Sequence, residues 1–262
     1  MDQDPAARVL VVRPRAAVGT PERDCPYNSR PARRRALSPP DPSLPAMTEI
    51  PAARTETPPL LEAIDLECFR GDRRLFTGLD LALAPGELVH VRGPNGSGKT
   101  SLLRILCGLT MPTRGTVRWS GEEMALGSPE HLSQIHYVGH ASGVKLELTP
   151  RENLRVSSAI AGRRDAAGLD QALARTGLTR FGDVTVRTLS AGQRRRVALA
   201  RLVTTPASLW VLDEPFTSLD ADGVELVDRM LADHVAGGGA ALLTSHHPLA
   251  LGCGPLRTID LA

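Results

Sequence analysis

Lys99 and Thr100 close the run Gly93-Pro94-Asn95-Gly96-Ser97-Gly98-Lys99-Thr100, and Ser101 follows. Glycines spaced in this way let successive backbone N–H groups converge on phosphate oxygens, and a helix that starts at the same place adds the positive end of its dipole. A lysine there gives a compact charge to the β- and γ-phosphates of a nucleoside triphosphate, and a threonine hydroxyl can ligate Mg2+. The chain has only two lysines, Lys99 and Lys145, and otherwise carries its positive charge on arginine. A lysine kept at this position suggests that a forked guanidinium would not fit. A second chemical pair, Asp213 and Glu214, stands at the end of the apolar run Leu209 to Leu212. One carboxylate can hold the metal while its neighbour orients or deprotonates an attacking water, which assigns Asp213 to Mg2+ and Glu214 to general base. Taken separately, the first run would be a glycine-rich turn and the second a solvated strand end. Together they supply the groups needed to bind ATP and hydrolyse it.

Those groups need elements to hold them. Leu88 to Val91 reads as a strand entering the glycine loop, and Leu102, Leu103, Ile105 and Leu106 read as the helix leaving it, stopped by Gly108. Leu209 to Leu212 has the uninterrupted apolar character of a central parallel strand covered on both faces, so its two carboxylates lie at the sheet edge where ligands bind in open α/β folds. Ser190 can cap a helix that turns Val197, Leu199, Leu202 and Val203 inward, with Gly192 permitting close approach of an anion. Thr149-Pro150-Arg151-Glu152 is a capping-box helix start with proline at the first helical position. A further strand, Ala241 to Leu243, precedes the pair His246-His247.

The segment Leu189-Ser190-Ala191-Gly192-Gln193, lying just upstream of the acidic strand, resembles the signature of ATP-binding-cassette (ABC) ATPases. The order is met throughout: glycine loop, signature, acidic strand, Ser218-Leu219-Asp220, then a histidine. The resemblance implies an α/β P-loop fold with a mainly parallel core sheet, an N-terminal antiparallel β subdomain and a helical subdomain over about 141–192. It also implies a head-to-tail homodimer in which Ser190, Gly192 and Gln193 contact the γ-phosphate bound by the partner. Asp220 would tie the two sites together, His246 would contact the γ-phosphate, and Phe69 would stack on adenine, although a buried core phenylalanine is the alternative there.

The stretch "YVGHASGVKLELTPRENL", 137–154, resembles one branch of that family, the cytochrome c biogenesis ATP-binding export (haem-exporter) ATPases. His140 falls where the wider family has a glutamine that links the Mg2+/water site to a membrane subunit. It either substitutes for that glutamine or is a structural loop residue. Lys145 either pairs with an acid on the membrane partner or is a solvated cation. The implied partners are a CcmB-like membrane-spanning permease and CcmC/CcmD-like proteins. The implied role is a peripheral translocase subunit at the cytoplasmic face of the inner membrane, coupling ATP hydrolysis to haem export or to release of a haem-loaded chaperone. An ATPase for another cargo (drug, lipid or polysaccharide) and a non-transport ABC ATPase are the alternatives.

Bulk properties agree with a subunit of this kind. A net charge of +2 over 262 residues gives no electrostatic case for a nucleic-acid partner. No window approaches the roughly 20 apolar residues needed to cross a bilayer. Cys25, Cys68, Cys107 and Cys253 form no C-x-x-C pair, which suggests reduced thiols rather than a disulfide framework or zinc site. Residues 1–59 are rich in arginine and proline and lack apolar periodicity beyond the short run from Val9 to Val12, so they are expected to be a disordered extension, with Met47 as the preferred start of translation. The ATPase domain is expected over 60–262.

Overall fold

The computed structural model describes residues 9–11, 58–162, 168–246 and 256–261. The chain divides into one unit of 1–15 with 58–262 and a second, Ala16–Thr57, whose residues lie wholly outside those described. Met47, Cys25, His247 and Cys253, with the expectations attached to them, lie outside as well.

In chain order the strands are β1 (Val9–Val11), β2 (Leu61–Arg70), β3 (Arg73–Leu83), β4 (Leu88–Arg92), β5 (Arg114–Trp119), β6 (Glu122–Glu123), β7 (Ile135–Val138), β8 (Leu209–Asp213), β9 (Ala240–Thr244) and β10 (Leu256–Asp260). The α-helices are α1 (Lys99–Leu106), α2 (Pro129–Leu132), α3 (Pro150–Ile160), α4 (Leu169–Arg175), α5 (Ala191–Ala200) and α6 (Ala221–Ala236). Six strands form a sheet in the order β1-β10-β4-β9-β8-β7, every neighbouring pair parallel. The other four form an antiparallel sheet, β3-β2-β5-β6.

Strands β8 and β9 are buried along their whole length, as an apolar run without polar alternation requires. One face of the parallel sheet packs on α1, which is held beneath the antiparallel sheet: Leu102, Leu103, Ile105 and Leu106 share a core with Leu61, Leu79, Val91 and Leu242. The other face packs on α5 and α6 through Leu199, Val227, Met230 and Leu231. A third cluster joins Leu154 of α3, Leu173 of α4 and Val197 of α5, and makes the helical part of the chain.

Local signals explain where the elements stop. Helix α1 ends in a Schellman motif, with Gly108 at φ +66° while its N–H bonds Ile105 O and the N–H of Leu109 bonds Arg104 O. The capping box before α3 is closed in both directions, Thr149 with Glu152. Ser190 and Gln193 form the equivalent box for α5.

Three histidines are folded into this frame. His136 Nε2 lies 2.8 Å from Thr205 Oγ1, and burial, with Arg201 and His234 nearby, lowers its pKa to about 4 from 6.5. Burial also lowers His90 and His234, the latter stacked on Trp210 with ring centroids 4.0 Å apart. A folded-state pKa below the unfolded one means that the unfolded chain binds more protons across that interval, so stability rises with pH there. Acidification from pH about 6.5 toward about 4 is therefore expected to lower the thermal midpoint, with His136 alone accounting for on the order of 3 kcal/mol. His136→Gln should flatten the pH dependence of the melting temperature; an unchanged slope would assign the acid sensitivity elsewhere.

Candidate functional site

The strand order brings the chemistry together. Because β9 lies between β4 and β8, the loop leaving β4, the acidic end of β8 and the segment after β9 all meet at one edge of the sheet. The loop after β7 joins them, since Val138 pairs with Leu212 and leaves Gly139 beside Asp213.

Asp213 is 2% exposed and doubly held. Its Oδ2 accepts from Thr100 Oγ1 at 2.8 Å, and its Oδ1 from Thr244 Oγ1 at 2.8 Å. Thr244 Oγ1 in turn accepts from the Glu214 N–H at 3.0 Å. Glu214 takes a left-handed backbone conformation, φ +53°, uncommon for a residue with a side chain. That turn separates the two neighbouring carboxylates: Asp213 points back to Thr100, whereas Glu214 Oε1 reaches to 3.4 Å from His246 Nε2. Tyr137 is half-buried close by, and burial together with the Asp213 charge pushes its phenol up to about 12, so it stays protonated.

Lys99 Nζ donates to Gly93 O at 2.8 Å and to Pro94 O at 3.2 Å, inside its own loop. Gly93 sits at φ +146°, and a Cβ there would fall 2.4 Å from Leu261 O and 2.7 Å from Ser97 Oγ, so only glycine fits. Helix α1 is entered through Gly98, its N-cap residue, which is left-handed and offers no side-chain cap to the first-turn N–H groups. Ser97 Oγ is buried and has no hydrogen-bond partner among the described residues. Hydroxyl, ammonium and uncapped amides thus share one small region, the donor set that a polyphosphate requires.

A cavity of about 490 Å3 opens over these groups. Asn95, Gly96, Gly98, Lys99, Thr100 and Ser101 line one side, Asp213 and Glu214 the floor, and His140 and His246 the rest of the acidic end. The antiparallel sheet adds Arg70, Arg73 and Leu75 from the β2–β3 hairpin. Phe69 is exposed (43%) and is absent from this lining. Alternation along β2 turns Phe69 and its neighbour Arg70 to opposite faces, and Arg70 is the one that meets the cavity. Phe69 is therefore neither a core phenylalanine nor a wall of the cavity.

A second cavity of about 460 Å3 is lined by Ser190, Ala191, Gly192, Gln193, Ser218 and Asp220, together with residues from the helical part. Leu189 is buried beneath it. Gly192 is required for intramolecular reasons, since a Cβ would lie 2.7 Å from Ser218 O. Asp220 caps α6 by accepting from the Gly223 N–H at 3.0 Å, and it pairs with Arg196 at 2.5 Å. None of Leu189 to Gln193 lines the first cavity, so within one chain the signature and the glycine loop are apart.

The segment with His140 and Lys145 is fastened from below. Asn153, 6% exposed, accepts from the Lys145 N–H at 2.7 Å and donates to Lys145 O at 3.0 Å. His140 faces the first cavity, whereas the Lys145 side chain is exposed and outside it.

Several contributors carry no signal in the sequence. Arg195 is one of three consecutive arginines, yet it is 3% exposed and bonds four main-chain carbonyls. Thr244 is a single hydroxyl at the end of an apolar strand, a hint visible only once β9 is known to lie beside β8.

Among the described residues no group of three or more His, Cys, Asp or Glu side chains is placed to hold a metal. Thr100 Oγ1 and Asp213 Oδ2, 2.8 Å apart, are the two oxygens of this edge that could hold an Mg2+, a cation that takes one or two protein oxygens and completes its shell with water and phosphate. Cys68 and Cys107 are free and buried, and burial raises both thiols. No helix among the described residues is long and apolar enough to cross a membrane.

The family model described as "ABC transporter" matches residues 76–217. The chain is 54% identical over 198 residues to the cytochrome c biogenesis ATP-binding export protein CcmA of Methylococcus capsulatus, covering 75% of this chain and 95% of that protein. The equivalent protein of Nitrosomonas europaea is 47% identical over 193 residues, covering 73% and 91%. Among solved structures, an ATP-binding subunit of an ABC transporter superposes with TM-score 0.66 at 26% identity, covering 71% of this chain and 79% of that one. A dimeric ATP-binding cassette bound to ADP and Pi superposes with TM-score 0.65 at 24% identity, covering 71% and 88%, a likeness of fold.

Proposed function

This chain belongs to the ABC transporter family and, within it, to the cytochrome c biogenesis ATP-binding export branch, and from that premise we propose how its residues turn ATP hydrolysis to cytochrome c maturation. The protein is an ABC ATPase of that maturation system. The observation that carries the mechanism is the chain Thr100–Asp213–Thr244–Glu214–His246, in which every neighbour is within hydrogen-bonding or ion-pair distance.

In this reading Gly93 to Ser101 cradle the phosphates, with Lys99 leaving its loop carbonyls for the β- and γ-phosphate oxygens. Thr100 and Asp213 would hold Mg2+, whose chemistry is to neutralise charge developing on the phosphates. Glu214, turned away from Asp213 by its left-handed backbone, accepts the proton of the attacking water. His246 sets the orientation of that carboxylate and meets the γ-phosphate. The separation of Ser190 to Gln193 from the glycine loop supports a head-to-tail homodimer, in which each chain completes the other's nucleotide site and ATP clamps the pair until hydrolysis releases it.

The membrane-spanning partner is a CcmB-like permease with CcmC/CcmD-like proteins, and the ATPase sits peripherally at the cytoplasmic face of the inner membrane. The loop from His140 to Leu148, fastened by Asn153 and opening on the nucleotide cavity at His140, is the segment that carries nucleotide state to that partner. The work done is haem export or release of a haem-loaded chaperone. Deleting the gene should abolish c-type cytochromes on a haem-stained gel, with recovery on re-expression of the intact chain. Normal cytochrome levels in the deletion strain would refute the maturation role while leaving the ATPase chemistry intact.

A further inference from the structure

Arg195 stands apart from the charged surface of α5. It is buried to 3% exposure, and its guanidinium donates to main-chain carbonyls in two places. Nη2 bonds Asp213 O at 2.9 Å and Glu214 O at 2.8 Å, and Nε bonds Pro215 O at 3.2 Å. Nη1 bonds Gly139 O at 2.8 Å, one residue before His140. A planar fork with five donors can span such a set of acceptors, which an ammonium cannot. Burial works against the charged form of this guanidinium, and the Asp213 and Glu214 charges oppose that loss.

Glu214 is consequently gripped at both ends. Its N–H goes to Thr244 Oγ1 and its C=O to Arg195, and between these two bonds lies the φ of +53° that aims its carboxylate at His246. Arg195 rides on α5, five residues after Ser190, the cap residue that opens onto the second cavity. One side chain thus connects the helix carrying the signature, the strained acidic turn and the root of the His140 loop.

We propose that Arg195 is a positioning residue for hydrolysis: it holds the Glu214 turn in its left-handed form and keeps it in register with α5 and with Gly139, so that the base is aimed only when helix and loop are both in place. This rests on the reading of Glu214 as general base. Arg195 does not line the nucleotide cavity, so ATP binding has no direct need of it. Errors of about 1 Å in the placement of a reacting group can cost on the order of 100-fold in rate.

The test is steady-state ATP hydrolysis by the full chain carrying Arg195→Gln or Arg195→Lys, with kcat counted per ATP-binding chain. Arg195→Gln is expected to lower kcat by roughly 10- to 100-fold with KM for ATP within about twofold of the original. Arg195→Lys, which keeps the charge and part of the bonding, should fall between. A purely structural role would lower the melting temperature and the number of ATP-binding chains but leave kcat per binding chain near its original value, and that result overturns the proposal. Glu214→Gln, assayed in parallel, keeps the two readings distinct, because undiminished hydrolysis there would remove Glu214 as base whatever Arg195 does. A second measurement needs no substitution: in the intact protein with ATP bound, the two Nη nitrogens of Arg195 should give separate, exchange-protected NMR signals. A single averaged signal would show that the guanidinium does not hold the turn, and would overturn the proposal as well.

Discussion

Glu214→Gln is expected to reduce ATP turnover by about 100-fold or more, in the range ascribed to a positioned general base, while ATP still binds and holds two chains together. The amide keeps the size of the carboxylate and its place near His246, so the turn at φ +53° and its bond to Thr244 are undisturbed. What disappears is the capacity to take a proton from water. Asp213 cannot substitute, because its two oxygens are already committed to Thr100 and Thr244 on the other side of the turn. Gel filtration with ATP should show the dimer persisting in the variant and decaying in the unmodified protein. Turnover that survives the substitution would place the proton acceptor elsewhere.

Lys99→Met should weaken ATP binding by on the order of 100-fold or more, since a charge-assisted contact to phosphate is among the stronger single interactions available to a site. The ammonium is already positioned by Gly93 O and Pro94 O, and exchanging these carbonyls for phosphate oxygens requires little movement. Lys99→Arg should rescue little of the affinity, because a planar guanidinium fork does not reproduce the compact point charge of the ammonium held by the loop carbonyls. Equilibrium titration with a fluorescent ATP analogue would measure both. Affinity for the arginine variant within a few-fold of the original would show that charge alone, not shape, is what the loop demands.

Much of this site was legible because its signals are local. The glycine spacing from 93 to 98, the Ser190 and Thr149 capping boxes and the unbroken apolar run before Asp213 each specify a turn, a helix start or a buried strand within about ten residues, and the structure places all of them as the pattern suggests. The order of strands is different in kind. Nothing in Ala240 to Thr244 announces that it lies between β8, the strand just before it, and β4, far earlier in the chain, so the role of Thr244 becomes visible only in three dimensions. Arg195 was hidden for another reason. Its partners are carbonyls, which every residue possesses, and a bond to a carbonyl leaves no mark on the partner's identity. Phe69 shows a third cause: a one-residue step along a strand reverses the face presented, and spacing alone does not reveal that Arg70, Arg73 and Leu75 are the ones turned to the cavity.

The strand order also sets a timetable for biosynthesis. Thr100 and Asp213, bonded side chain to side chain, are separated by 113 positions, and His90 meets Ser245 across 155. Since β9 lies between β4 and β8, a nascent chain that has not yet released residue 244 from the ribosome can pair β8 with β7 but lacks the strand that joins the acidic edge to the glycine-loop strand. Completion of the catalytic edge is therefore expected late in synthesis, because a chain stalled short of β9 lacks Thr244 and with it the bonds that hold Asp213 and the Glu214 turn.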